Sequence, residues 1–137
     1  MTTQIDYQSP SNATTSKGML WTGRVLSALP VLLMMGIGLA IMLFKPEEIE
    51  KGMKQYGFPE HSGMKIMVVE MVCVVLYIIP QTAVLGAILL TGYLGGATCT
   101  HVRAGEPFFM PVIVGIVVWL GLFFRDARVR ALIPLRR

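Results

Sequence analysis

Charge is what this sequence has least of. Asp, Glu, Lys and Arg make up 15% of its 137 residues, against about 25% in ordinary soluble domains. The shortage is uneven. Val25 to Phe44 carries no formal charge, and about 20 apolar residues cross a hydrocarbon core of roughly 30 Å at 1.5 Å per residue. A soluble domain of this length would struggle to bury that run together with those that follow, and there is room for only one domain. Cysteine is scarce too. Cys73 and Cys99 form no CxxC pair, which leaves out the pattern of a thiol–disulfide relay; both are expected to pack as small hydrophobes. The two Cys and two His are spread over different elements without a close ligand pair, so no metal site is expected. Phosphate loop, nucleophile elbow, HExxH pair and haem-attachment motif are all missing, as is the paired set of broken helices that would suggest a carrier.

What remains is a succession of apolar runs. The sequence is 54% hydrophobic, and its pattern predicts an all-α fold: an integral membrane bundle of four transmembrane helices with a disordered polar tail before it. The tail covers residues 1–18, rich in Ser, Thr and Gln and without period. Residues 19–137 form the membrane domain, with spans at about 22–44, 64–79, 83–100 and 108–124. Residues 1–18 are not expected to be a signal peptide, because a basic n-region and a small-residue cleavage site are missing. Pro30 falls near the start of the first span, where a kink is tolerated. The amphipathic stretch from Pro46 is broken by Gly57 and Pro59 and should lie at the interface, with a short helical turn over Glu47 to Tyr56. Pro80-Gln81-Thr82 carries no charge and closes the second and third spans into a hairpin.

The net charge of +4 does not point to nucleic acid. Arg125, Arg128, Arg130, Arg136 and Arg137 directly follow an apolar segment, where basic residues set topology and meet anionic lipid head groups. The expected partner is the lipid bilayer. Four crossings put both termini on one side, and the arginine bias places them and the Pro80 turn in the cytoplasm. The 46–65 and 101–107 loops then face outward.

Within the spans one ionisable residue stands out. Glu70 sits in the second span, and an intramembrane carboxylate costs at least about 2.5–3.5 kcal/mol on insertion scales, so it marks a candidate site by default. The end of the third span, with His101 and Arg103, reaches the same side of the membrane, and Glu106 follows. Pairing of Glu70 with Arg103 or His101 would remove most of the cost of burying either. Glu70, His101, Arg103 and Glu106 are therefore the candidate polar pocket, in the outer half of the bundle. Two readings stand: the cluster locks helices in register, or it protonates or binds a polar head group or a quinone. No cofactor is otherwise expected. Gly92, Gly96 and Thr100 make a small-residue stripe for close helix packing, against this chain, a second copy or another membrane protein.

From Tyr56 onward the sequence resembles the DoxX-like family of small bacterial four-helix membrane proteins, the DoxX/DoxD group. The resemblance rests on GFPEH at Gly57 to His61, on Glu70, and on IPQTAVLGA at Ile79 to Ala87. It continues through LTGYLGGA at Leu90 to Ala97, THVRAG at Thr100 to Gly105, and RDARVRALIP at Arg125 to Pro134. It covers about 80 residues closely. The resemblance implies the bacterial inner membrane and assigns importance to Glu70, His101 and Arg103. It allows two functions: an accessory membrane protein without assigned activity, or a quinone-interacting subunit like that of a thiosulfate:quinone oxidoreductase.

Overall fold

A computed structural model describes residues 16–132. The expected tail falls outside the described residues as far as residue 15, and so do residues 133–137. Among the described residues all regular structure is helical. Ser16 accepts a hydrogen bond from the Met19 amide at 3.3 Å and caps α1, Lys17–Val31, so the helix starts inside the stretch expected to be tail. Pro30 is carried within α1, and a π-helical turn, Leu32–Gly36, follows at once before α2, Ile37–Phe44. Together they make one 28-residue apolar helix from Lys17 to Phe44.

The surface helix is longer than a turn. Pro46 at the first helical position, Glu47 and Glu48 in the first turn and Lys54 in the last all suit the helix dipole, and they build α3, Pro46–Gln55. α4 runs Ser62–Ile78, α5 runs Ala83–Ala104, α6 runs Phe109–Arg125, and a short α7 covers Ala127–Leu132. Lys17–Phe44 and Ala83–Ala104 are long and apolar enough to cross a membrane, and Phe109–Arg125 is a shorter apolar helix. α5 goes on past Thr100 for a further turn.

The helices pack in antiparallel succession: α1 on α6, α6 on α5, α5 on α4. The fourth seam, between α4 and α1, is touched mainly through the π-helical turn. Each of α1, α4, α5 and α6 turns one stripe inward. Gly23, Ser27 and Pro30 do so on α1, continued by Met34 in the π-helical turn, and Gly63, Met67, Cys73, Val74 and Tyr77 on α4. Ala83, Ala87, Leu90 and Leu94 face them from α5, Val118 and Leu122 from α6. These spacings of three and four residues follow the helical period. The outward faces are apolar as well, with Val68, Val72, Leu85, Ile88, Ile113 and Ile116 all exposed. Apolar faces that extensive would be ruinous in water and cost nothing in hydrocarbon.

Close approach depends on small residues at specific places. A Cβ on Gly86 would collide with the Tyr77 backbone, and one on Gly121 would stand 2.5 Å from the Ser27 hydroxyl. At Gly23 the obstruction is the Arg125 backbone at 2.6 Å. The expected stripe of Gly92, Gly96 and Thr100 plays no such part within the chain. Nothing lies within 4 Å of a Cβ placed on Gly92 or Gly96, and both face outward. The Thr100 hydroxyl turns back to the Gly96 carbonyl at 3.0 Å. The reason is rotational: Leu90 and Leu94 fix the inward side of α5, and Gly92 lies on the opposite side of the same turns.

Candidate functional site

Glu70 lies midway along α4, in the centre of that helix's inward stripe. Its partner is Tyr93 on α5, whose hydroxyl donates to Glu70 Oε2 at 2.6 Å. The expected pairing with His101 or Arg103 is not made. Those residues lie eight and ten positions beyond Tyr93 on a helix that continues to Ala104, which carries them about 12–15 Å further along the axis at 1.5 Å per residue. The position of Glu70 follows from the same register. Tyr77 bonds Ser27 and touches Gly86, so these three residues share one depth. Seven residues further along, α4 reaches Glu70, α5 reaches Tyr93 and α1 reaches Met34 inside the π-helical turn. The acid therefore sits at mid-bundle, deeper than expected, beside the one irregular turn of the longest helix. Cys73 lies one turn away on the same stripe, buried, and Cys99 is exposed; both are free thiols.

His101, Arg103 and Glu106 gather elsewhere, at the end of α5. Gly105 takes φ 70° and ends the helix. The Glu106 amide reaches back to the His101 carbonyl at 2.9 Å, a six-residue closure that folds Glu106 over the last turn. Glu106 Oε2 thereby meets His101 Nδ1 at 3.0 Å. α3 ends in the same way: Gly57 has φ 77°, and the Phe58 amide reaches the Met53 carbonyl at 3.0 Å. That closure presents Tyr56, whose hydroxyl donates to Glu106 Oε2 at 2.8 Å and whose ring meets the His101 ring edge-on at 5.8 Å. The hydrogen bond from Tyr56, and then that to His101, holds the Glu106 carboxyl below the usual carboxylate range. The same bond pushes the Tyr56 phenol up. Arg103 is exposed, its guanidinium 3.9 Å from where a Cβ on Gly57 would stand. This group is a latch between the surface helix and the α5–α6 loop.

Two features were not foreseen from the sequence. The fully buried Tyr77 donates from its hydroxyl to the Val118 carbonyl at 2.9 Å and meets the Ser27 hydroxyl at 3.0 Å. Arg125 donates to the Tyr77 carbonyl at 3.0 Å and lies 4.7 Å above its ring. It thus serves one of the last carbonyls of α4, which no further helical turn would reach. The second is a groove of about 590 Å³ between α5 and α6, lined by Leu94, Gly95, Thr98, Gly115, Trp119 and others. At its edge the Trp119 indole donates to the Thr91 hydroxyl at 2.9 Å. Among the described residues no group of three or more His, Cys, Asp or Glu is placed to hold a metal ion.

No curated protein and no solved structure matches the chain. The sequence model of the DoxX-like family matches residues 25–122, from α1 through most of α6. That match takes in Glu70, Tyr93 and the latch residues of α5 and its loop, and it extends over more than half of the chain. The protein belongs to the DoxX-like family, a membrane-associated family.

Proposed function

We propose that this is a four-span protein of the bacterial inner membrane, both termini cytoplasmic, acting as an accessory membrane protein with the Glu70–Tyr93 pair as its polar site. The observation that carries the reading is the 2.6 Å bond from the Tyr93 hydroxyl to Glu70 at mid-bundle. A carboxylate has acceptor capacity for more than one donor, so Glu70 can accept a second O–H or N–H beside that of Tyr93. Several features support the topology. α4 and α6 each have 17 residues, about 25 Å of helix and at the short end of a crossing. Lys17, Arg24, Arg125 and Arg128 collect at one end, as cytoplasmic flanks do.

A second reading is favoured by the α5–α6 groove. Its volume of about 590 Å³ falls within the range of small-molecule sites, roughly 300–1,000 Å³, and its lining is almost wholly apolar with Thr91 and Thr98 at hand. That suits the ring of a membrane quinone. The two readings separate on one preparation. Protein extracted in mild detergent is analysed for bound quinone, and quinone reduction is measured in membranes carrying wild type, Glu70→Gln or Tyr93→Phe. The accessory reading expects no stoichiometric quinone and equal reduction in all three. Stoichiometric quinone, with reduction that falls in the variants, replaces it with the redox reading. Cysteines introduced at Glu47 and Glu106 should react with impermeant maleimide only from outside; reaction only from inside overturns the orientation.

A further inference from the structure

We infer that the open seam between α1 and α4, at the arginine end, is a binding site for one anionic phospholipid, its phosphate held by Arg24 and Arg125. The inference goes beyond the proposed function and rests only on these helices lying in a membrane. Three seams of the bundle are packed along their length, and this one is not. At its arginine end it contains a slot of about 250 Å³. Tyr77 and Ser27, both buried, form the floor, while Ala28, Val31 and Ile78 make an apolar lip.

Two arginines line this slot, Arg24 from α1 and Arg125 from the end of α6. They are brought together by a close helix contact, Gly23 against the Arg125 backbone. Arg125 spends one donor on the Tyr77 carbonyl and lies over the Tyr77 ring. Neither arginine forms an ion pair with a carboxylate among the described residues. The nearest acid in sequence, Asp126, accepts from the Arg128 amide at 2.8 Å instead. Two like charges at the edge of a low-dielectric slot repel unless an anion joins them. A guanidinium is matched in shape and charge to a phosphate, with two parallel donors. The apolar lip selects the source. A free phosphate ion has no use for Ala28, Val31 and Ile78, whereas a lipid can lay an acyl chain along them into the unfilled seam. Basic pockets between membrane helices bind anionic head groups.

The test uses the full chain in dodecyl maltoside, with dioleoylphosphatidylglycerol, dioleoylphosphatidylcholine and sodium phosphate as probes. Native mass spectrometry counts bound lipid, and thermal unfolding reports stabilisation. Wild type should retain one phosphatidylglycerol in preference to phosphatidylcholine, with sodium phosphate failing to displace it. Arg24→Gln should weaken that binding about ten-fold, as loss of a charged hydrogen bond does. Ala28→Trp should weaken it comparably with both arginines in place, because the ring fills the slot from an exposed position. Arg128→Gln, outside the slot, should leave it unchanged. Arg125→Gln is the poorer probe, since it also uncaps α4. Equal retention of the two lipids overturns the proposal, as does a loss in Arg128→Gln matching that in Arg24→Gln. Displacement by phosphate alone overturns the lipid in favour of a free-phosphate site. If Ala28→Trp folds and binds as wild type does, the lipid is not in the seam.

Discussion

Tyr77→Phe removes one oxygen atom from a fully buried side chain of the bundle, and its cost can be worked from the contacts. The ring is fully buried, and the hydroxyl serves Ser27 at 3.0 Å and the Val118 carbonyl at 2.9 Å. Phenylalanine keeps the ring, so the packing and the Arg125 guanidinium above it stay. What is lost is two hydrogen bonds between helices, each about 0.6 kcal/mol on average and at most about 1.7 in membrane bundles. The loss is softened at both ends. The Ser27 hydroxyl can turn back to a carbonyl of its own helix, and the Val118 carbonyl lies in mid-helix, where α6 supplies an amide. The sum is about 1–2 kcal/mol, a factor of roughly 5–30 in the folded-to-unfolded ratio. Tyr77→Ala, which also empties the ring's volume, should cost about 3–5 kcal/mol. Reversible unfolding in mixed micelles by titration with dodecyl sulfate, followed by tryptophan fluorescence, measures both. A double-mutant cycle with Ser27→Ala should return a coupling of about 0.5–1 kcal/mol. The reasoning fails if Tyr77→Phe matches wild type, because the hydroxyl then holds nothing. It fails equally if Tyr77→Phe is as damaging as Tyr77→Ala.

The glycines give a paired expectation. Gly86→Ala forces the Tyr77 backbone away and should cost about 1–3 kcal/mol, whereas Gly96→Ala meets open space and should stay within about 0.5; the reverse order in the same micelle titration would contradict the packing. The latch gives a pH expectation. Glu106 titrates lower when folded, so its contribution is present above the unfolded value, about 4.3 for Glu, and is lost as pH falls through the folded value. Tyr56→Phe removes the first cause of that shift, and the Glu106 carboxyl resonance should then titrate closer to the ordinary range; an unchanged midpoint would show that the 2.8 Å contact does not form in solution.

The helices were legible because their causes are local. The charge-free run, the uncharged Pro80 turn and the arginines after Phe124 are all visible in the string, and the helices fall between them. The boundaries slipped where a cap decided them. α1 starts at Lys17 because Ser16 supplies the cap, and α5 reaches Ala104 because Gly105, not Thr100, takes the left-handed turn. That last turn is why the expected pocket divided in two. With α5 ending at Thr100, His101 and Arg103 could bend toward Glu70; with the helix continuing, they are held away from it. Tyr93 and Tyr77 went unnoticed because tyrosine in an apolar run reads as bulk, and whether a phenol has a partner depends on helix rotation. One signal was available. Glu70 and Tyr77 are seven residues apart on one helix face, as are Gly86 and Tyr93 on the next, so in an antiparallel hairpin closed at Pro80 the acid on α4 should meet the phenol on α5.

The same register explains why the bundle is unequal along its length. Gly23, Gly86 and Gly121 all converge near the depth of Tyr77, and the hydroxyls of Ser27 and Tyr77 and the guanidinium of Arg125 tie α1, α4 and α6 there. On the far side of the π-helical turn α2 buries no residue at all, and its approach to α4 is Gly38 against the Met71 methyl. Opening free energies follow buried contacts, so the arginine end is the anchor and α2, α3 and the latch are the part that yields first. Glu70 and Tyr93 stand at the border between the two. A π-helical turn leaves the regular backbone ladder locally incomplete, and such turns recur at functional sites. The polar pair, the irregular turn and the loosening of the first helix therefore coincide in depth, and that coincidence singles out Glu70 more firmly than its being an acid in an apolar helix.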